Sequence, residues 1–197
     1  KKRGEFSANV FYTLLDDYIS RTPTSIYGNS INYDGDLFVG DEILANTNQG
    51  QAYIYGGTVS AFYELTKSLK SNFSCTYTKG RSYDTHEPLS SIPPFYGNIA
   101  LSIDKKKYNV ALDYRFSFRK ILDDYNITEG VDNVEFTPEG VGTPAWHVVN
   151  LNSNYFLKPY LKLQVQVQNI LDVHYQEFAS TISAPGRNIS AAVEYTF

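Results

Sequence analysis

The chain contains 197 residues with a formal net charge of −4, and its 17 Tyr and 12 Phe accompany one Trp, one Cys and no Met. The basic residues are scattered and form no basic patch, which excludes a nucleic-acid-binding protein. The apolar runs are far shorter than the about 20 residues that a membrane-spanning helix needs, which excludes a helical membrane protein. The 15% aromatic content favours β-structure, because aromatic side chains suit strands and membrane interfaces.

Eight segments alternate apolar and polar residues with a period of two, which predicts strands, and none shows a helical period. The clearest is Leu161–Gln168, where Leu and Val alternate with Lys and Gln. The segment 108–119 is long for a strand of a soluble protein but suits a tilted membrane strand. In chain order the predicted strands are 5–18, 51–66, 69–79, 95–104, 108–119, 146–157, 161–168 and 189–197.

The connections between these segments alternate in length. Three are brief, at 67–68, 105–107 and 158–160, whereas four are long, at 19–50, 80–94, 120–145 and 170–186. Short turns at one end and long loops at the other are typical of an outer-membrane β-barrel. We therefore expect the first and last strands to have their free termini at the short-turn end.

The two faces of the predicted strands differ in chemistry. Aliphatic residues occupy the middle of one face and aromatic residues its two ends, the pattern of a lipid-facing surface with aromatic girdles. The other face carries Asn and Gln side chains that suit a wet or plugged interior. Asp113, Arg115 and Arg119 on this polar face would either line a transport route or form a ladder of ion pairs.

Several motifs resemble those of one family. The run Leu163–Asp172, followed by Tyr175, Pro185–Arg187 and the terminal Tyr195–Phe197, looks like the closing strands of TonB-dependent receptors. Upstream matches in the same order are Tyr55–Gly57 before Val59–Tyr63, Ile92–Pro94 before Tyr96–Asn98, and Gly142–Trp146 before Asn150–Leu151. The resemblance implies an all-β fold in which residues 1–197 form about eight strands, the C-terminal portion of a transmembrane antiparallel barrel of about 22 strands.

The resemblance also implies a function and partners. Such receptors lie in the bacterial outer membrane and import a scarce ligand such as an iron chelate (a siderophore or haem) or cobalamin, with energy from TonB. The plug domain that contacts TonB is expected to be absent from this chain. Val193, Tyr195 and Phe197 on one face of the last strand resemble the signal that the outer-membrane assembly machinery reads by strand pairing.

No enzyme, cofactor or metal site is predicted. The three His residues are far apart in sequence and lack Cys or paired carboxylates at metal-ligand spacing. Candidate ligand contacts on the extracellular loops are Tyr83, His86, Tyr125 and His174, although histidines in solvated loops often have no such role.

Two other classes of protein fit the same alternation. A complete eight-stranded outer-membrane protein, acting as an anchor or adhesin, would close on itself because eight strands form a small barrel. A soluble β-sandwich that binds glycans through aromatic faces would pack its apolar face against a second sheet.

Overall fold

The computed structural model describes residues 3–26, 31–33, 40–126, 135–137, 140–180 and 182–197. Its main feature is one antiparallel sheet of eight strands, in which each strand pairs with its predecessor in this series. The predicted strands are confirmed, with differences only at their ends. They are β1 (Gly4–Leu15), β2 (Ala52–Glu64), β3 (Leu69–Ser82), β4 (Tyr96–Asp104), β5 (Tyr108–Ser117), β6 (Trp146–Lys158), β7 (Leu161–Gln168) and β8 (Asn188–Tyr195).

The sheet is open. β1 and β8 are its two edges and do not pair with one another, so these strands do not close into a barrel of eight. No second sheet of comparable size is present in the described part of the chain, which removes the sandwich architecture. The four long connections leave the sheet at one end, here called the loop end, and the three short ones lie at the opposite turn end.

The long connections contain short strands that the alternation did not predict. Residues Ile19–Pro23 pair with Leu44–Asn48, and Ile31–Tyr33 pair with Gly40–Glu42. A third small sheet joins Lys120–Ile121 and Glu135–Thr137 to Gly140–Thr143. Pairs of two to five residues are too short to show a period.

Helix is nearly absent from the described residues. A single 3₁₀ turn occupies Leu122–Asp124. No helix in the described ranges is long and apolar enough to span a membrane.

The strand register separates two faces, here called the apolar face and the polar face. Because successive side chains of a strand point to opposite sides, paired residues share a face across the whole sheet. One row of the apolar face runs through Tyr63, Ser71, Leu101, Leu112, Leu151, Val167 and Ile189. One row of the polar face runs through Glu64, Lys70, Ser102, Ala111, Asn152, Gln166 and Ser190.

The sheet has no dry core of its own. Among the described residues, the buried apolar side chains are Ala52, Leu89, Tyr125 and Val148. Val10 is 85% exposed, and both Ile189 and Val193 are 69% exposed, although all three lie on the apolar face. An exposed apolar surface of this extent marks a face that contacts lipid or another protein.

Aromatic rings gather at the two ends of the apolar face. At the loop end, ring centroids follow one another from Tyr12 to Tyr53 (6.2 Å), Tyr55 (6.2 Å) and Tyr77 (6.4 Å). Phe95, Phe116 and Phe118 form a second group there. At the turn end Tyr195 contacts Tyr160 and Phe197. These are the two aromatic rows that the sequence predicts.

Candidate functional site

A cleft of about 480 Å³ lies on the polar face toward the loop end. Its floor comes from β3 to β6, and two long connections complete its walls with prolines, Glu177 and Phe178. The strand residues that line it combine hydroxyls, an amide, charges and aromatic rings: Ser74, Thr76, Tyr96, Asn98, Asp113, Arg115, Ser117 and Trp146. Such a mixture suits binding of a ligand with both aromatic and polar groups.

Arg115 stands at the centre of this cleft. Its Nη2 donates to Oε1 of Glu177 at 3.0 Å, and its Cζ lies 5.8 Å from the centroid of the Trp146 ring. Both charged side chains are about half exposed, so their ion pair adds little stability. A second cleft of about 410 Å³ is also lined by Arg115 and Glu177, so this pair separates the two clefts.

Aromatic groups surround the Arg115–Glu177 ion pair that separates the two clefts. The rings of Trp146 and Tyr175 lie 4.6 Å apart between centroids, and Nε1 of Trp146 is buried and has no hydrogen-bond partner among the described residues. Burial raises the pKa of the Tyr175 phenol, although the nearby Arg115 acts in the opposite direction. Tyr175 therefore stays protonated at neutral pH and acts as a hydrogen-bonding group without charge.

Asn169 holds the connection between β7 and β8 against the polar face. Its backbone N–H donates to Oδ1 of Asn150 at 2.9 Å, and its Nδ2 donates to the carbonyls of Val173 and Pro185 at 2.8 and 3.2 Å. Its Oδ1 accepts from the N–H of Val173 at 2.9 Å. Asn169 is 3% exposed and has a φ of +48°, a backbone conformation that Asn tolerates better than most residues.

Lys120 holds three loop-end connections together. Its Nζ donates to the carbonyl of Ile92 at 2.8 Å and lies 4.4 Å from the ring centroids of Tyr125 and Phe178. Lys120 is only 3% exposed, and the hydroxyl of the buried Tyr125 bonds to that of Thr143. A desolvated cation between two rings interacts favourably with both faces, which makes this cluster a small core above the sheet.

Comparisons with known proteins identify the family. The family described as TonB dependent receptor-like, beta-barrel matches residues 1–170. The chain belongs to this family of TonB-dependent receptor barrels. The predicted fold class is thereby confirmed. No curated protein matches the sequence.

Solved receptor structures have a similar fold. The copper transporter OprC superposes with a TM-score of 0.74 at 20% identity, covering 100% of this chain and 29% of that one. The FrpB iron transporter from Neisseria meningitidis (F3-3 variant) gives 0.68 at 16% identity, with 100% and 30% covered. The pyoverdine receptor FpvA from Pseudomonas aeruginosa PAO1, bound to pyoverdine, gives 0.68 at 17% identity, with 99% and 27% covered. The chain thus spans less than a third of each.

The four loop residues of the receptor barrel that were predicted to contact a ligand do not form one cluster. The Tyr83 ring packs 4.9 Å from Tyr53, and its hydroxyl bonds to Tyr12 at 2.6 Å, so it joins the aromatic row of the apolar face. Tyr125 is buried beneath Lys120. His86 lies in the β3–β4 connection, where its carbonyl accepts from Arg81.

His174 lies in the β7–β8 connection of the receptor barrel, where its Nε2 is 3.1 Å from Oγ of Ser183. Ligand binding by His174, His86, Tyr83 or Tyr125 stays a prediction. The described residues contain no group of three His, Cys, Asp or Glu side chains that is arranged to hold a metal ion.

Asp113 and Arg115 of the polar face have different partners. Asp113 accepts from Nδ2 of Asn150 at 3.3 Å, whereas Arg115 reaches Glu177, which is 62 positions away in sequence. The sequence analysis missed Glu177, Trp146 and Phe178 as members of the cleft. No local signal marks Glu177 and Phe178, because the β7–β8 connection folds back over the sheet through tertiary contacts alone.

The Lys120 cluster gives a testable expectation for the receptor barrel. Lys120→Met keeps much of the side-chain volume but removes the donor to Ile92 and the charge between the rings. We expect the local stability of the three connections to fall by about 2–3 kcal/mol. Faster amide hydrogen exchange in 88–95, 120–126 and 175–180 is the measurement, and Lys105→Met in a short turn is the control. Unchanged exchange in these segments contradicts the assigned role.

Proposed function

We propose that residues 1–197 form the C-terminal portion of a larger receptor barrel in a bacterial outer membrane. One observation carries this proposal: across seven neighbouring strands, the row on the apolar face is apolar at every position but Ser71, and the row on the polar face is polar at every position but Ala111. In lipid, unpaired backbone groups cost several kcal/mol each, so the open edges of β1 and β8 require further strands. Family membership and the partial coverage of solved receptors support the same architecture.

The proposed activity is import of a scarce ligand. An iron chelate (a siderophore or haem) or cobalamin would bind at the loop end and cross the barrel interior, driven by TonB through a plug domain outside this chain. The proteins of similar fold are a copper transporter, an iron transporter and a receptor bound to pyoverdine. Their descriptions support small metal-bearing molecules as the class of ligand. The cleft around Arg115 supplies aromatic surfaces and charge for such a ligand.

The last strand supports a further part of the proposal. Val193 and Tyr195 are 69% and 60% exposed on the apolar face, and Phe197 follows β8 with its side chain open. Only one edge of β8 is paired within the described sheet. These three residues therefore present the strand-pairing signal for the outer-membrane assembly machinery.

Uptake by cells tests the proposed function. Deletion of the gene should abolish high-affinity uptake of one labelled probe among ferric siderophores, haem and cobalamin, and the intact gene should restore it. Arg115→Ala should lower the restored uptake by about tenfold, because it removes the positively charged guanidinium between the two clefts. Lys106→Ala in a short turn is the control and should restore full uptake. Normal uptake of every probe in the deletion strain would overturn the proposed import.

The two other classes of protein predict different results. A complete eight-stranded anchor would insert as an isolated chain of these residues, whereas the open sheet predicts that it will not. A soluble sandwich would remain monodisperse without detergent, but the exposed apolar face predicts aggregation.

A further inference from the structure

The β7–β8 connection places a tight turn at the cleft on the polar face, residues 177–180, here called the connection tip. The N–H of Ser180 donates to the carbonyl of Glu177 at 3.0 Å, and the side-chain amide of Gln176 donates to the carbonyl of Ser180. Ala179 has a φ of +60°, a left-handed conformation that a residue with a Cβ adopts only at a cost. A strained turn of this kind persists where contacts with other elements hold it.

Two cations supply such contacts to the connection tip. Oε1 of Glu177 accepts from Nη2 of Arg115 at 3.0 Å, and the ring centroid of Phe178 lies 4.4 Å from Nζ of Lys120. The tip thus presents a carboxylate and an aromatic ring on adjacent residues, each against a cation of another element. A carboxylate next to an aromatic ring is also the chemistry of an aromatic acid. The tip therefore lines the cleft with the same groups that such a molecule carries.

The contact between Glu177 and Arg115 is open to exchange with another anion. The two side chains are 51% and 45% exposed, and an ion pair this open to solvent adds little stability. One N–H···O bond joins them, whereas a guanidinium can hold a carboxylate through two parallel bonds. A carboxylate that makes both bonds is thus the stronger partner for Arg115.

The other groups of the cleft suit an aromatic anion. The carboxylate of Asp113 accepts from Nδ2 of Asn150 at 3.3 Å, so it does not compete for Arg115. The ring of Trp146 lies 5.8 Å from Cζ of Arg115, and Tyr96 adds a second ring to the lining. An aromatic group bound here can stack on these rings while its charge reaches the guanidinium.

We propose that the connection tip is a built-in surrogate for the imported ligand, and that this ligand carries a negatively charged group next to an aromatic ring. This ligand class rests on the proposed import function. The anionic group of the ligand takes the place of Glu177 on Arg115. Because this ion pair separates clefts of about 480 and 410 Å³, the exchange joins them into one larger site. An uncharged molecule does not displace the tip, since it lacks the charge to compete for the guanidinium.

Two small probes that share a ring but differ in charge test this exchange: benzoate and uncharged benzamide. Their binding to the detergent-solubilised full-length receptor is measured by ligand-observed NMR. We expect Glu177→Gln, which keeps the side-chain shape, to strengthen benzoate binding about fivefold and to leave benzamide binding unchanged. Arg115→Gln should remove the preference for benzoate. The control Glu87→Gln removes a carboxylate of the β3–β4 connection outside both clefts and should change neither affinity.

The two partners of the ion pair should thus change benzoate binding in opposite directions. An ion pair with a structural role alone predicts weaker binding in both variants, because the loss of either partner loosens the connection. Amide hydrogen exchange supplies a second measurement. Saturating benzoate should accelerate exchange in 175–180 of the unmodified receptor, since it releases the connection tip. An unchanged or slower exchange in this segment contradicts the surrogate role.

Separate outcomes distinguish this ligand class from the proposed function. Weaker or unchanged benzoate binding in Glu177→Gln overturns the surrogate role, and so does a failure of benzoate to bind either form. The uptake experiment with the deletion strain is independent of these results. If uptake of one probe depends on the gene while Glu177→Gln leaves benzoate binding unchanged, the import stands and the surrogate is refuted. Normal uptake of every probe in the deletion strain refutes the import itself.

Discussion

Leu112→Arg should destabilise the membrane-inserted receptor by about 2–4 kcal/mol. Leu112 lies near the middle of β5 on the apolar face, between Leu101 of β4 and Leu151 of β6. A guanidinium at this depth loses its hydration in hydrocarbon, and no carboxylate occupies the paired positions. Urea-induced unfolding of the full-length receptor in lipid vesicles measures the change.

The neighbouring position supplies the matched control for this experiment. Ala111 precedes Leu112 but lies on the polar face, paired with Ser102 and Asn152. Ala111→Arg introduces the same charge on the opposite side of the same strand, where water or polar groups can solvate it. We expect its effect to stay below about 1 kcal/mol. Equal destabilisation by both variants would refute the assignment of the two faces.

The second large effect is expected at Asn169. Asn169→Ala removes three side-chain hydrogen bonds and leaves the half-buried N–H of Val173 and the carbonyls of Val173 and Pro185 without this partner. It also places Ala at a φ of +48°, which costs about 1–2 kcal/mol more. We expect a total loss of about 3–5 kcal/mol, with the β7–β8 connection detached from the cleft. Amide hydrogen exchange in 170–187 and urea unfolding measure the two consequences.

Two further variants separate the causes at this position. Asn169→Gly relieves the backbone strain but restores no hydrogen bond, so it should recover only the smaller part of the loss. Asn154→Ala removes an amide from the polar face of β6 and should have a minor effect. If Asn169→Gly restored full stability, the side-chain hydrogen bonds would not hold the connection.

Period-two alternation predicted the sheet well because its cause is local. Leu163, Val165 and Val167 point to one side since the pleat sends successive side chains to opposite faces, whatever the rest of the chain does. The same rule placed Asn152 and Gln166 together on the polar face. Short and long connections were likewise visible as the spacing between alternating segments.

The candidate site is formed by contacts between distant segments, and such contacts produce no periodic pattern in the sequence. Tyr83 and Tyr125 were both predicted as ligand contacts on the loops, and their ligand binding stays a prediction; the structure adds that Tyr83 joins the aromatic row of the apolar face and that Tyr125 is buried beneath Lys120. Glu177 reaches Arg115 from 62 positions away. The partners of these side chains come from other connections, so local composition does not indicate them.

The sequence by itself determined the eight strands of the main sheet, the two chemically distinct faces and the family, because short stretches of neighbouring residues carry the pattern of each. Only the tertiary structure decided how the described parts of the β3–β4, β5–β6 and β7–β8 connections pack, where Lys120 and Asn169 hold them. It also decided that β3 extends at the loop end beyond its last paired position with β4. Hydrogen bonds and ring contacts between distant segments set these arrangements, since the backbone pleat acts only along a strand and between its paired neighbours.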